Sequence, residues 1–261
     1  MRRRNRSPEV MAISEHELTV MTRDLEQIHH DVGVPAMDRA INEWTERSRT
    51  SRRGFLIGAG ALAGGAVLAA CSSGSSNSTT TTSGSGSSGS ATTKLTGDLA
   101  VAAVAASLEN LAVAAYADVL TAAGAGKLGA VPPAVATFAT TVKDQHAQHA
   151  QAWNSAITAA GHSAITTPDP VLIPVVTAAF KKVTNVTGAA KLALMLEDVA
   201  AATYQSAIGA VTAASSVKVA ASIQPVEMQH AAILNFVLGQ YPVPNAFSPL
   251  VDARPVSDYR G

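Results

Sequence analysis

Three glutamates, Glu109, Glu197 and Glu227, are the only ones in the chain after Cys71, and His146, His149 and His230 are three of the four histidines there. Carboxylates and imidazoles ligate iron, manganese and zinc, so the first question is whether these six side chains can converge. His146 and His149 stand three residues apart, as do Glu227 and His230, which places each pair on one helical face. Glu109 and Glu197 sit in segments that echo each other. Leu108-Glu109-Asn110 is followed by Tyr116, and Leu196-Glu197-Asp198 by Tyr204, with tyrosine seven residues after glutamate in both.

Helical phase turns these groups inward. Glu109 shares its face with Ala102, Ala105, Ala106, Ala112, Val113 and Tyr116, while Asp118 lies about 180° away at 100° per residue. Glu197 sits among Ala193, Leu194, Ala200, Ala201 and Tyr204, and Glu227 among Ala220, Ile223, Ala231 and Leu234. An acid on an apolar stripe needs a partner. Either a metal ion supplies it, or the histidines and carboxylates satisfy one another as a buried polar network. Seven residues carry Tyr116 and Tyr204 about 10 Å along their helices from their own glutamates. They are therefore outer hydrogen-bond partners of the site, a radical relay, or ordinary core. Trp153 reads as core, His162 as a helix-end or surface histidine, and Asp144, about 160° round the helix from His146, faces water. Pro225 is expected to kink or restart its helix.

The elements that must position these residues read as all-α, since alanine is abundant and apolar positions recur at helical spacing. Long helices are expected from about Lys94 to Ala123, Pro133 to Ala160, Gly188 to Ala214 and Ser215 to Leu238. Gly124 to Gly129 joins the first two and Ser215-Ser216 the last two. Residues 161–187 form a long crossover carrying a short helix from Val171 to Val183. Two hairpins joined by one crossover is the topology of a ferritin-like bundle.

The residues over about 97–240 resemble the ferritin-like superfamily. There, one glutamate from each of two helices and a Glu-x-x-His pair from each of the other two bind two metal ions. By that resemblance Glu109 and Glu197 are the lone glutamates, Glu227 with His230 a complete pair, and His149 the histidine of the other pair. His146 stands where the family places a bridging carboxylate. The resemblance implies one metal ion or an asymmetric pair, with Fe or Mn favoured over Zn, and redox chemistry in which ferrous iron is oxidised or peroxide handled. A monomer or small oligomer is expected rather than a storage cage.

The chain has 261 residues, a formal net charge of zero and a single cysteine. One cysteine excludes an internal disulfide framework, and the lack of a basic cluster after residue 53 argues against a nucleic-acid partner. Ser51-Arg52-Arg53-Gly54-Phe55-Leu56 resembles a twin-arginine export signal, and Leu68-Ala69-Ala70-Cys71 resembles a lipobox cut before a lipid-modified cysteine. Residues 54–70 are short for a membrane span of about 20 residues. Gly58-Ala59-Gly60-Ala61-Leu62-Ala63 matches a dinucleotide fingerprint in letters but lacks the strand and helix that motif needs. The organisation expected is a leader over residues 1–50, signal and lipobox over 51–71, a Ser/Gly/Thr linker over 72–93, the bundle over 94–240 and a tail over 241–261. The linker's composition cannot bury a core, and its flexible reach is about 25 Å. Ser14 to Trp44 is helix-compatible, Met37 is an alternative start, and His29-His30 falls in a leader removed at Cys71.

These features imply a lipoprotein on the outer face of the cytoplasmic membrane. It would be held by a lipid on Cys71 and handled by the twin-arginine translocase and a signal peptidase. Three classes stay open: a metal-binding oxidase or iron-handling protein, a non-catalytic envelope protein with a polar core, and a solute-binding lipoprotein with an apolar cavity.

Overall fold

Ser14 begins the first helix with a capping box, accepting from Glu17 N at 3.2 Å while its own N–H donates to the Glu17 carboxylate at 2.9 Å. The computed structural model describes residues 12–47 and 95–255. Arg52, Arg53, Cys71 and the Ser/Gly/Thr stretch lie outside the described residues. From Ser14 the chain runs through α1 (Glu15–Ile28), a π turn (His29–Gly33) and α2 (residues 34–47). Then come α3 (Asp98–Gly124), α4 (Pro133–Ala159), the short α5 (Ile173–Phe180), α6 (Val186–Ile208) and α7 (Ala214–Val237).

Local chemistry sets these ends. Pro133 opens α4 at the first helical position, where a missing N–H costs nothing. The Asn185 side chain accepts from Gly188 N at 2.8 Å and caps α6. Gly161 closes α4 with φ 85°, a left-handed value that glycine takes without steric cost. The connection between α6 and α7 differs from the expected Ser215-Ser216 turn. Helix α6 stops at Ile208, and Asp98 of α3 draws the next residues into a loop, accepting from Thr212 N and Ala213 N at 2.9 Å and from Ser216 Oγ at 2.6 Å. Ser215 and Ser216 are buried inside α7. Of the kink or restart expected at Pro225, the restart does not occur: Ala214–Val237 is one helix with Pro225 inside it.

Helix α3 pairs with α4 and α6 with α7, while α5 crosses over α3 and α6. The crossover is fastened from the C-terminal tail: Arg254 reaches Asp169 at 3.1 Å with both side chains buried, and Asp169 Oδ1 accepts from Val171 N and Leu172 N at 2.9 Å. Helix α3 is long and apolar enough to cross a membrane, with mean hydropathy 1.6 over its most apolar window. Two-thirds of that window is buried inside the bundle, as expected of a core helix.

The interior is layered. One apolar cluster gathers Ala102, Ala106, Trp153, Ile157, Tyr204 and Ile223. The other gathers Tyr116, Phe138, Val142, Ala193 and Leu234. Along each of the four long helices the histidines and glutamates fall between these two sets, at mid-height.

The N-terminal segment belongs to the same packing. Leu18 and Leu25 join one apolar cluster and Met37, Ala40 and Trp44 the other, all buried. Trp44 meets Trp153 edge-on at 6.1 Å, Ala12 N donates to Val237 O at 3.1 Å, and Lys218 pairs with Glu43 at 2.8 Å. The sequence reading set residues 1–50 apart from the folded part, because a signal motif follows them. In the structure residues 12–47 form a fifth long helical element against α4 and α7.

Candidate metal centre

Six buried side chains from four helices meet at mid-height: Glu109 from α3, His146 and His149 from α4, Glu197 from α6, Glu227 and His230 from α7. Each is between 0 and 2% exposed. All six residues expected from the sequence are therefore brought together. They fall into two overlapping groups of possible ligands, Glu109-His146-His149-Glu227 and His146-Glu197-Glu227-His230.

Two residues belong to both groups. Glu227 turns Oε1 toward His149 Nδ1 at 2.9 Å and Oε2 toward His230 Nδ1 at 3.5 Å. His146 turns Nδ1 toward Glu109 at 2.7 Å and Nε2 toward Glu197 at 3.3 Å. The imidazole thus faces both groups, one nitrogen to each. His230 Nδ1 also lies 3.1 Å from Glu197 Oε2.

The tyrosines are crossed. Tyr116 of α3 donates to Glu197 of α6 at 2.5 Å, and Tyr204 of α6 donates to Glu109 of α3. Each tyrosine serves the glutamate of the opposite hairpin. Trp153 stacks on Tyr204 and donates its Nε1–H to the Tyr204 hydroxyl at 2.8 Å. It is core, as expected, and also supports the carboxylate through Tyr204. Asp144 is exposed beside Lys143, and half-buried His162 follows the end of α4, both as expected.

Gln145 escaped the sequence reading. It is buried, and its Oε1 lies 2.7 Å from His230 Nε2, fixing the ring whose Nδ1 faces Glu197. Four residues before His149, it shares that histidine's face, which was the available signal. His29, set aside with the leader on the sequence, lies beside the site as well. It is buried at the level of the site, its ring 5.3 Å from that of His149 and its Nε2 3.3 Å from Gln148 Oε1. Its neighbour His30 faces solvent beside Asp31, so the two histidines do not act together.

Electrostatics bind the layer. Burial pushes Glu109 up, but the charge on His149 and the hydrogen bond from His146 outweigh it and hold its carboxyl at about 2. Burial disfavours a charged His149, yet Glu109 and Glu227 raise it to about 9. Burial against Glu227, Glu197 and Glu109 acts likewise on His146, with the carboxylates prevailing and the pKa well above its ordinary value. Glu197 goes well below its own despite burial, through His146 and His230. His29 is the opposite case: burial, then the charge of His149, lower it to about 4.

The layer fits a metal by its own chemistry. Both nitrogens of His149 and both oxygens of Glu227 are buried without an aligned hydrogen bond, although the two residues face each other at 2.9 Å. Buried polar atoms left in this way are expensive, and an ion between carboxylate oxygens and imidazole nitrogens would satisfy them. The donor set suits Fe, Mn or Zn. By contrast, the apolar cavity beside Leu18, Tyr116 and Phe138 holds only about 40 Å³.

Four long helices joined by one crossover, with carboxylates and imidazoles from all four meeting at mid-height, define a ferritin-like bundle. A family model for the ferritin-like domain matches residues 97–240, and the chain belongs to that family. No curated protein and no solved structure gives a significant match.

Proposed function

We propose that this protein binds a pair of transition-metal ions, Fe or Mn ahead of Zn, at the mid-height layer, and that the centre serves iron oxidation or peroxide handling. The observation that carries the reading is the double-facing geometry of Glu227 and His146. Glu109 and His149 would complete one ion's ligands and Glu197 and His230 the other's, with Glu227 offering an oxygen to each and a neutral His146 giving one nitrogen to one of them. Such a centre supplies electrons to dioxygen or peroxide. The chain's own residues hold the carboxylates ionised, orient them through Tyr116 and Tyr204 and the His230 ring through Gln145, and keep bulk water out of a layer that is at most 2% exposed. The test is elemental analysis of the full chain, purified without a metal-affinity tag, beside a Glu109→Ala, Glu197→Ala variant. Two ions per chain, lost in the variant, are expected. No bound metal after anaerobic loading with ferrous iron sinks the reading.

A second reading, a non-catalytic envelope protein with a polar core, draws on one observation: the histidines and carboxylates already lie 2.7 to 3.8 Å from one another as ion pairs. It predicts a fully stable chain with no metal. The 40 Å³ apolar cavity lends little to a solute-binding role, since small-molecule sites run to about 300–1,000 Å³.

We also propose export through the Arg52-Arg53 signal and lipid anchoring at Cys71 on the outer face of the cytoplasmic membrane. The support is the order of basic pair, apolar run and Leu-Ala-Ala-Cys. Mass spectrometry of the membrane fraction should find a mature chain starting at a diacylglycerol-modified Cys71. A soluble chain that retains residues 12–47 would refute it.

A further inference from the structure

The N-terminal helical segment matches the layering of the bundle along its whole length. Leu18 and Leu25 lie on one apolar layer, His29 on the polar layer, and Met37, Ala40 and Trp44 on the other apolar layer. The π turn makes this register possible. Pro35 has no N–H to give, and the turn takes a wider i→i−5 bond, Val34 N to His29 O, just before it. Gly33 lets the His29 ring fit, because a Cβ there would stand 3.3 Å from His29 Nδ1. π turns of this kind occur frequently at functional sites.

Beside that turn an open vestibule of about 530 Å³ lies between the segment and α4, lined by Glu26, His29 and His30 on one side and Thr140, Gln145 and Gln148 on the other. Gln145 forms part of its wall and reaches His230 within the centre. His29, held by Gln148 and packed edge-on against His149, closes the same wall. A path from this vestibule to the ligands along α4 therefore runs past His29 of the N-terminal segment, while a smaller cleft lined by Glu109, His146 and Leu172 lies on the α3–α6 side.

We infer that residues 12–47 are a cap that docks on the α4–α7 face through its own contacts and controls access of metal ions to the centre, with His29 as the closing group. The apolar face it covers, including Phe138, Val142, Trp153 and Ala156, has residues 12–47 of the same chain as its occupant. The gating function rests on the metal reading above; the docking does not. On the export reading, Arg47, Arg49, Arg52 and Arg53 precede the apolar run 54–70 and hold everything before it in the cytoplasm. Cap and bundle then part when the bundle crosses, so the docked form is that of the chain before export.

The test uses the full chain in mild detergent, with a protease site inserted in residues 72–93. After cutting, the N-terminal piece should co-elute with the bundle, and a Leu18→Asp, Leu25→Asp variant should lose it. Cobalt(II) uptake by the cut variant should be at least tenfold faster than by the cut parent, with the same final amount. Added 12–47 peptide carrying the parent residues should restore slow uptake, which shows that the variant's bundle remains folded. Separation of the piece from the cut parent overturns the docking. Equal uptake rates with the segment on and off overturn the gate. Uptake by neither form overturns the metal reading and the gate together, and co-elution distinguishes that result from a failure to dock.

Discussion

Tyr116 donates its hydroxyl to Glu197 across the bundle at 2.5 Å, and Tyr204 returns the arrangement to Glu109. Each bond joins a helix of one hairpin to a helix of the other, at the level where the two halves meet. A hydrogen bond to an ionised group contributes about 1.5–3 kcal/mol. Tyr116→Phe removes the donor and leaves a buried carboxylate one partner short. We expect a loss of about 2 kcal/mol in denaturant unfolding of chelator-treated protein, with metal stoichiometry unchanged. A drop in metal content would instead place the phenol among the ligands.

How far the sequence revealed this centre follows from helix geometry. Within one helix the phase is set by the repeat alone, so Glu109, His146, His149, Glu197, Glu227 and His230 could be placed inward, and all six converge. The crossed tyrosines depend on the axial offset between α3 and α6, which no single-helix pattern contains. The end of α6 depended on Asp98, more than a hundred residues away, binding the Thr212 loop. The docking of residues 12–47 left a trace in the seven-residue spacings Leu18–Leu25 and Met37–Trp44. The signal motif that follows set the segment aside, and the π turn breaks the period between the two pairs.

Stability of the chain stripped of metal should depend on pH on both sides of a maximum. His149 is raised from an ordinary 6.5 to about 9, so its contribution is complete below pH 6.5 and is lost as pH rises through 9. Glu109 is held at about 2 against an ordinary 4.5, so its contribution is complete above pH 4.5 and is lost as pH falls through 2. His146 and Glu197 shift in the same respective directions. His29 acts oppositely: lowered from an ordinary 6.5 to about 4, it makes stability rise with pH between those values, so melting temperature should peak near about pH 6.5. A melting temperature still level from pH 6.5 to 9 would mean that the layer holds neutral imidazoles.

The crossover depends on the tail. Arg254 and Asp169 form a buried pair, and Asp169 also receives two backbone N–H groups at the start of α5. Breaking one side of a buried ion pair costs about 3–5 kcal/mol. Arg254→Ala should destabilise the bundle by about that amount, and hydrogen exchange should speed up first over residues 165–180. Asp169→Ala removes the pair and the acceptor of the two N–H groups together and should cost more. Equal losses in the two variants would show that the pair, rather than the cap, carries the effect.

His146 separates the metal reading from the polar-network reading. His146→Glu puts a carboxylate where the imidazole turns one nitrogen to Glu109 and the other to Glu197. Without metal, four buried acids then face two histidines, three imidazole–carboxylate contacts are lost, and like charges crowd at short range. The chelator-treated variant should be less stable than the parent by about 3–5 kcal/mol. Metal reverses the order, because a glutamate can give one oxygen to each of two ions. At a free metal concentration a hundredfold above Kd, a single site adds about 2.7 kcal/mol of stability, and two sites add more. The metal-induced rise in melting temperature should thus be larger in the variant than in the parent, with two ions found per chain. A variant that metal fails to rescue would mean that His146 serves to neutralise its neighbours, and that the layer is a structural network.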